Sequence, residues 1–251
     1  MNATLRLVTA LALIVSAAGT AAAQQRGRSA GDGAAQSPRA SAPIDLTGYW
    51  VSIVNEDWRW RMITPLPKDY ASIGNLMTPE AQKIAGAWTP DQDGSCLAYG
   101  AAGLMRMPTR LNVTWENDTM LTIETDAGQQ TRRLNFDRAA APGPRSLQGL
   151  SIAGWERPGG RAAARTGSLK VVTTNLSGGW LRRNGVPYSE NATVTEYFDR
   201  FATAAGDDWM VVTTIVSDPK YLNQEFITSS HFRKEADGAK KWDPTPCTSS
   251  P

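Results

Sequence analysis

Short runs in which apolar and polar residues alternate occupy most of the chain after residue 48, each bounded by turn residues. A period of two puts successive side chains on opposite faces, as in half-buried β-strands. Arg110–Trp115 and Thr119–Thr125 alternate around Glu116-Asn117-Asp118, and Asp126-Ala127-Gly128 turns into a third run, Gln129–Phe136. Further strands are predicted over Gly149–Glu156, Ser168–Leu176, Asn191–Phe201, Asp208–Val216 and Gln224–Lys234. A first strand is expected within Asp45–Glu56, where aromatic and β-branched residues follow Gly48. In the segment after it, Trp58, Trp60 and Met62 alternate with Arg59 and Arg61, which predicts a strand with an aromatic face and an arginine face.

One helix stands out. Thr78-Pro79-Glu80 has an N-capping hydroxyl followed by proline at the first helical position, and Ala81–Trp88 continues it. The pattern totals nine or ten strands, mostly joined by short connections, which implies antiparallel neighbours. A closed barrel or a sandwich would remove the edges of so long a meander. The expected fold is mostly β: a single antiparallel barrel with one early α-helix.

The first residues change the picture of where that domain works. An apolar run of about Leu7 to Val15 follows Arg6 and ends in Ala21-Ala22-Ala23, the pattern of an export signal cleaved after residue 23. The run is shorter than the roughly 20 residues needed to span a bilayer. Residues 24–43 contain no aromatic or large aliphatic side chain, so they read as a disordered spacer. The expected organisation is therefore a signal peptide at 1–23, a spacer at 24–43 and a barrel domain at 44–251, in a periplasmic or secreted protein. The chain carries +2 overall, the leader contributes +1 and the spacer +2, which leaves the body near −1. Such a balance offers no basic surface for nucleic acid or anionic lipid. Cys96 and Cys247 are the two cysteines, and in an oxidising compartment an even count favours a disulfide. No C-x-x-C or H-x-x-x-H spacing suggests a metal, and no cofactor is expected.

Asp45-Leu46-Thr47-Gly48-Tyr49-Trp50 resembles the G-x-W signature on the first strand of lipocalins and the wider calycin superfamily. The body also resembles a group of exported bacterial proteins of undefined function, through NEDWRWRM (55–62), YGAAGLMRMPTRL (99–111), LKVVTTNL (169–176), RRNGVPYSENATVTEYFDR (182–200), DPKYL (218–222), SSHF (229–232) and WDPTPC (242–247). The resemblance implies a calycin-like barrel and brings no substrate. It departs from the lipocalin plan in its early helix.

Two titratable residues could carry chemistry. His231 is the only histidine, and inside a barrel it would be an acid or base near neutral pH; the alternative is a hydrogen-bonded structural residue. Glu196 alternates with Ala192, Val194 and Phe198, so a carboxylate shares an apolar face. It could be a general base, half of a buried ion pair with Arg59, Arg61 or Arg106, or a solvent-facing group. Trp58, Arg59 and Trp60 could wall a planar ligand or form a core strand with solvated arginines. Trp50 would add to the wall, with Tyr99, Arg106 and Tyr188 at the barrel mouth. Arg182-Arg183-Asn184-Gly185 reads as an exposed turn. No G-x-S-x-G, H-E-x-x-H or G-x-G-x-x-G is present.

Three functions remain open: a barrel binding a largely apolar or aromatic small molecule, a cofactor-independent isomerase, cyclase or lyase using Glu196 and His231, and an envelope protein recognising a partner through a surface Trp180. The oligomeric state is not encoded in any of these features.

Overall fold

The computed structural model describes residues 36–53, 66–70, 73–159 and 166–249. Nine strands close into a barrel in the order β1 (Gly48–Ile53), β12 (Phe226–Lys234), β11 (Asp208–Ser217), β10 (Thr193–Ala202), β7 (Ser168–Thr174), β6 (Leu150–Glu156), β5 (Thr131–Asn135), β3 (Met120–Thr125) and β2 (Arg110–Asn117), with β2 returning to β1. The remaining strands form two small sheets: β4 (Ala127–Gly128) with β13 (Thr245–Pro246), and the hairpin β8 (Gly179–Arg182) with β9 (Val186–Tyr188).

The barrel is mixed, which corrects the purely antiparallel expectation. Strands β5 and β6 run parallel, and they pair only through Leu134↔Ser151 and Asn135↔Ile152. Every other barrel pair has a longer register; β10 and β11 match ten residues each. The loop from Phe136 to Gly149 carries the chain along the barrel, so β6 starts again in the direction of β5. Among the described residues two short α-helices occur, not one: α1 (Pro79–Gly86), capped by Thr78 Oγ1 accepting from the Ala81 amide, and α2 (Ala101–Leu104).

Alternation does select the inward face. On β10, Val194, Glu196 and Phe198 are buried while Thr195 and Tyr197 are only half-buried. Trp50, Phe198, Met210 and Phe232 are fully buried and pack with Leu111, Leu134 and Leu169 in one core. At the end where β10 begins, α1, α2 and the β8–β9 hairpin form a cap; Ala81, Ala102 and Tyr188 pack there against Val194, Val216 and Phe226. Leu104, the last residue of α2, and Met105 after it reach down into the barrel core. The buried Asp218 ties cap to barrel by accepting from the Ser189 amide at 2.6 Å and the Ser189 hydroxyl at 2.7 Å.

The turn Arg182–Gly185 is buried, not exposed. Asn184 has no accessible surface and its side-chain amide donates to the Asp69 carbonyl at 3.0 Å. Gly185 has φ +80°, and a Cβ there would lie 2.5 Å from Trp88 Cβ, so only glycine fits. Trp180 is also buried, edge-on to Trp88 at 6.5 Å, which removes it as a surface recognition residue.

The opposite end forms the rim. Residues 36–43, assigned by composition to the disordered spacer, are ordered against it. The Pro38 carbonyl accepts from Trp155 Nε1 at 2.8 Å, the Ser41 carbonyl from Arg157, and the Asp118 carbonyl from the Arg39 amide at 3.2 Å. Backbone carbonyls thus supply the docking contacts that the missing large side chains do not. Among the described residues no helix is long and apolar enough to cross a membrane.

Cys96 and Cys247 form a disulfide, with Cα atoms 4.9 Å apart and 151 residues between them in sequence. The tail is held on both sides of the bridge, by β13 on β4 and by the Cys96 amide donating to the Thr248 carbonyl at 2.8 Å. In a chain-entropy model a loop this long contributes up to about 5 kcal/mol. The C96S variant is therefore expected to lose several kcal/mol in urea unfolding under oxidising conditions, and to match the reduced parent chain in dithiothreitol. Equal oxidised stabilities would show that the bridge contributes nothing.

Candidate functional site

The sequence places Glu196 and Arg132 on inward-facing positions of β10 and β5, and both side chains are fully inaccessible. Two charges without water require direct compensation. Arg132 Nη1 and Nη2 donate to Glu196 Oε1 and Oε2 at 3.0 and 2.6 Å, a bidentate pair. Arg132 Nη2 also donates to Thr173 Oγ1 at 3.3 Å, and that hydroxyl is 2.7 Å from Ser151 Oγ. The network therefore joins β5, β10, β7 and β6. Thr214 lies directly across from Glu196 on β11, and its buried hydroxyl has no hydrogen-bond partner among the described residues.

Among the described residues the partner of Glu196 is thus Arg132, not Arg106; Arg59 and Arg61 lie outside the described residues. Arg106 is buried in the cap, where Nη1 donates to the Leu181 carbonyl at 3.0 Å and the guanidinium lies 5.2 Å from the Phe226 ring centre. The signal for Arg132 was available: it shares an inward face with Leu134 in Thr131-Arg132-Arg133-Leu134. Arg133 points outward to Glu116 at 3.0 Å.

His231 lies on the other side of the wall. It pairs with Ile53 and Val211, while its neighbours Ser230 and Phe232 are the fully buried, inward residues. Glu196 and His231 consequently do not share a cavity. Trp50 is inward but packed in the core, with Nε1 donating to the Leu46 carbonyl at 2.9 Å. Tyr99 is half-buried beside the disulfide, its ring lying where a Gly128 side chain would be. Tyr188 is buried in the cap, and burial pushes its hydroxyl far above the ordinary tyrosine range. Trp58, Arg59 and Trp60 lie outside the described residues. Arg106 and Tyr188 thus lie in the cap and Tyr99 beside the disulfide, whereas His231 sits on the outer face of β12.

Hollows do occur around the rim. One of about 560 Å³ is lined by Ile44, Glu156, Arg157, Ser168, Asp199 and Arg200, among others. A second, about 310 Å³, runs across the outside of β6 and β7, and shares Glu156 with the first. A third, about 460 Å³, lies under the ordered N-terminal residues and shares Ile44. Their cations are partly engaged: Arg200 donates to Asp208 at 2.8 Å and to the Asp45 carbonyl at 2.8 Å. None of these rim residues was singled out from the sequence, because each lies in a loop or on an outward strand face. Among the described residues no cluster of His, Cys, Asp or Glu could hold a metal ion.

Compared with known proteins, the chain matches no family model, no curated protein and no solved structure.

Losing one member of a buried ion pair strands the other charge, at a cost of about 3–5 kcal/mol. E196Q should destabilise the chain by that order in urea unfolding, whereas the double variant R132M/E196L should recover much of the loss. A stable E196Q protein would contradict the structural role given to the pair.

Proposed function

We propose that the chain is an exported, non-catalytic barrel that binds a small molecule in the crescent of hollows around its rim. The observation that carries this is the contrast between the two regions. The interior is filled by Trp50, Phe198, Met210 and Phe232, and the carboxylate of Glu196 there is neutralised by Arg132. The rim holds contiguous hollows within the 300–1,000 Å³ range of ligand sites. A general base needs a lone pair directed at its substrate, and both oxygens of Glu196 accept from Arg132. The export reading draws support from the disulfide, which belongs to oxidising compartments. The calycin-like reading draws support from the closed barrel and from the inward Trp50 of the G-x-W tripeptide.

A thermal-shift screen of the full chain against aromatic acids, neutral aromatics and terpenoids tests the proposal. At least one class should raise the melting temperature, and the rise should shrink when the rim is blocked by S168W. It should survive H231A, since His231 lies away from the hollows. A response to no class would sink the binding reading, and a response unaffected by S168W and by the groove substitutions below would move it away from the rim.

A further inference from the structure

The hollow across β6 and β7 has a chemistry distinct from its neighbours. Its floor is Gly154, on the outward face of β6 and opposite Lys170 of β7. A side chain at Gly154 would fill the depression: an added Cβ would stand 3.7 Å from Arg138 Nη2. Arg138 comes from the loop that follows β5. It forms no hydrogen bond or ion pair with any described residue, and it is exposed. On the far side Lys170 Nζ is 3.2 Å from Glu156 Oε1 and 5.4 Å from the centre of the Tyr197 ring. Hydrogen bonds to Tyr197 and then to Glu156 hold its ammonium above the ordinary lysine range. Ile152 and Val172 pair across β6 and β7 one step along the same outward face, and continue the groove as an apolar surface.

Two cations therefore flank a glycine floor, one of them uncommitted, with an aliphatic shelf beside them. A guanidinium presents a planar fork that matches a carboxylate, and a nearby ammonium adds a second donor. The single acid, Glu156, leaves the groove with an excess of positive charge.

We infer that this groove binds the carboxylate of an aromatic or aliphatic acid, with Arg138 as the primary anchor, Lys170 as the second donor and the apolar body lying on Ile152 and Val172. The inference rests on the rim-binding reading above and names the ligand class of one part of that rim. The depression at Gly154 sets the size of the head group, since any larger residue would occupy it.

The test uses 1-naphthoate and its neutral counterpart 1-naphthamide with the full chain, followed by isothermal titration and intrinsic tryptophan fluorescence. Naphthoate should bind and naphthamide should bind at least about tenfold more weakly, as expected when a charge-assisted contact is lost. R138Q should weaken naphthoate by a similar factor and R138K by less, with naphthamide binding little changed in either. G154L, which keeps every charge, should abolish binding of both, and an unchanged melting temperature shows that the barrel is intact. Equal affinity for acid and amide, or full binding by R138Q, would overturn the anion assignment while leaving rim binding standing. Naphthoate binding that survives G154L but is lost in S168W would place the site in the neighbouring hollow and overturn this groove. If no member of the screen binds anywhere, the rim-binding reading itself falls.

Discussion

The bidentate pair between Arg132 and Glu196 is the constraint around which this barrel closes. Strands β5 and β6 meet through only two parallel residue pairs, whereas the neighbouring pairings run from five to ten residues. A closed sheet requires every junction to hold, because an opened seam exposes strand edges and the apolar interior together. Counting around the barrel, β6 and β7 lie between β5 and β10. The Arg132–Glu196 pair spans that interval across the interior, and Thr173 and Ser151 link it to the two intervening strands. The seam is thus fastened from inside by charge and hydrogen bonding where the backbone ladder is short.

This arrangement explains why a charge sits at a position where an aliphatic side chain would otherwise be expected. A buried pair is not by itself a strong source of stability, because desolvation offsets much of the attraction. Its value here is directional. Bidentate geometry fixes the register of β5 against β10, and a slip by one residue would turn Arg132 out and Arg133 in. Arg133 already has a place outside with Glu116, so the two arginines specify one register between them. The same commitment turns Glu196 away from solvent chemistry: both of its oxygens accept from Arg132 and its side chain has no accessible surface.

Much of this was legible in the sequence, and the parts that were not have physical reasons. Residue type located β1, period-two patterning the other barrel strands, and the same alternation identified Glu196 as an acid on an apolar face. The same alternation, applied to Thr131–Leu134, places Arg132 inward, so the partner could have been found by the same reasoning. The parallel junction could not, since alternation says which face a residue takes and nothing about strand direction. The buried turn at Arg182–Gly185 looks like a surface loop because its burial depends on Trp88, nearly a hundred residues earlier. For His231 the sequence left open which face of the strand is interior. On β12 Phe226, Thr228, Ser230 and Phe232 alternate with Ile227, Ser229, His231 and Arg233, and burial of Phe226, Ser230 and Phe232 puts His231 on the outer face. Hollows on outward faces leave no periodic trace at all.

The short junction and the outer groove have a common origin in one turn. Asn135 Oδ1 accepts from the Asp137 amide at 2.8 Å, and Asp137 Oδ1 accepts from the Ala139 amide at 2.9 Å. Two consecutive Asx-type contacts bend the chain out of the extended conformation immediately after Asn135. β5 therefore stops after its second pairing with β6, and Ala153–Glu156 are left with a strand neighbour on the β7 side alone. The same bend carries Arg138 back over Gly154. The end of one strand thus creates a cleft on the outside and supplies the cation that overhangs it. Internally it leaves a gap in backbone bonding that Arg132 and Glu196 compensate. The feature that makes the barrel depend on a buried ion pair is thus also the one that opens the cleft on its surface.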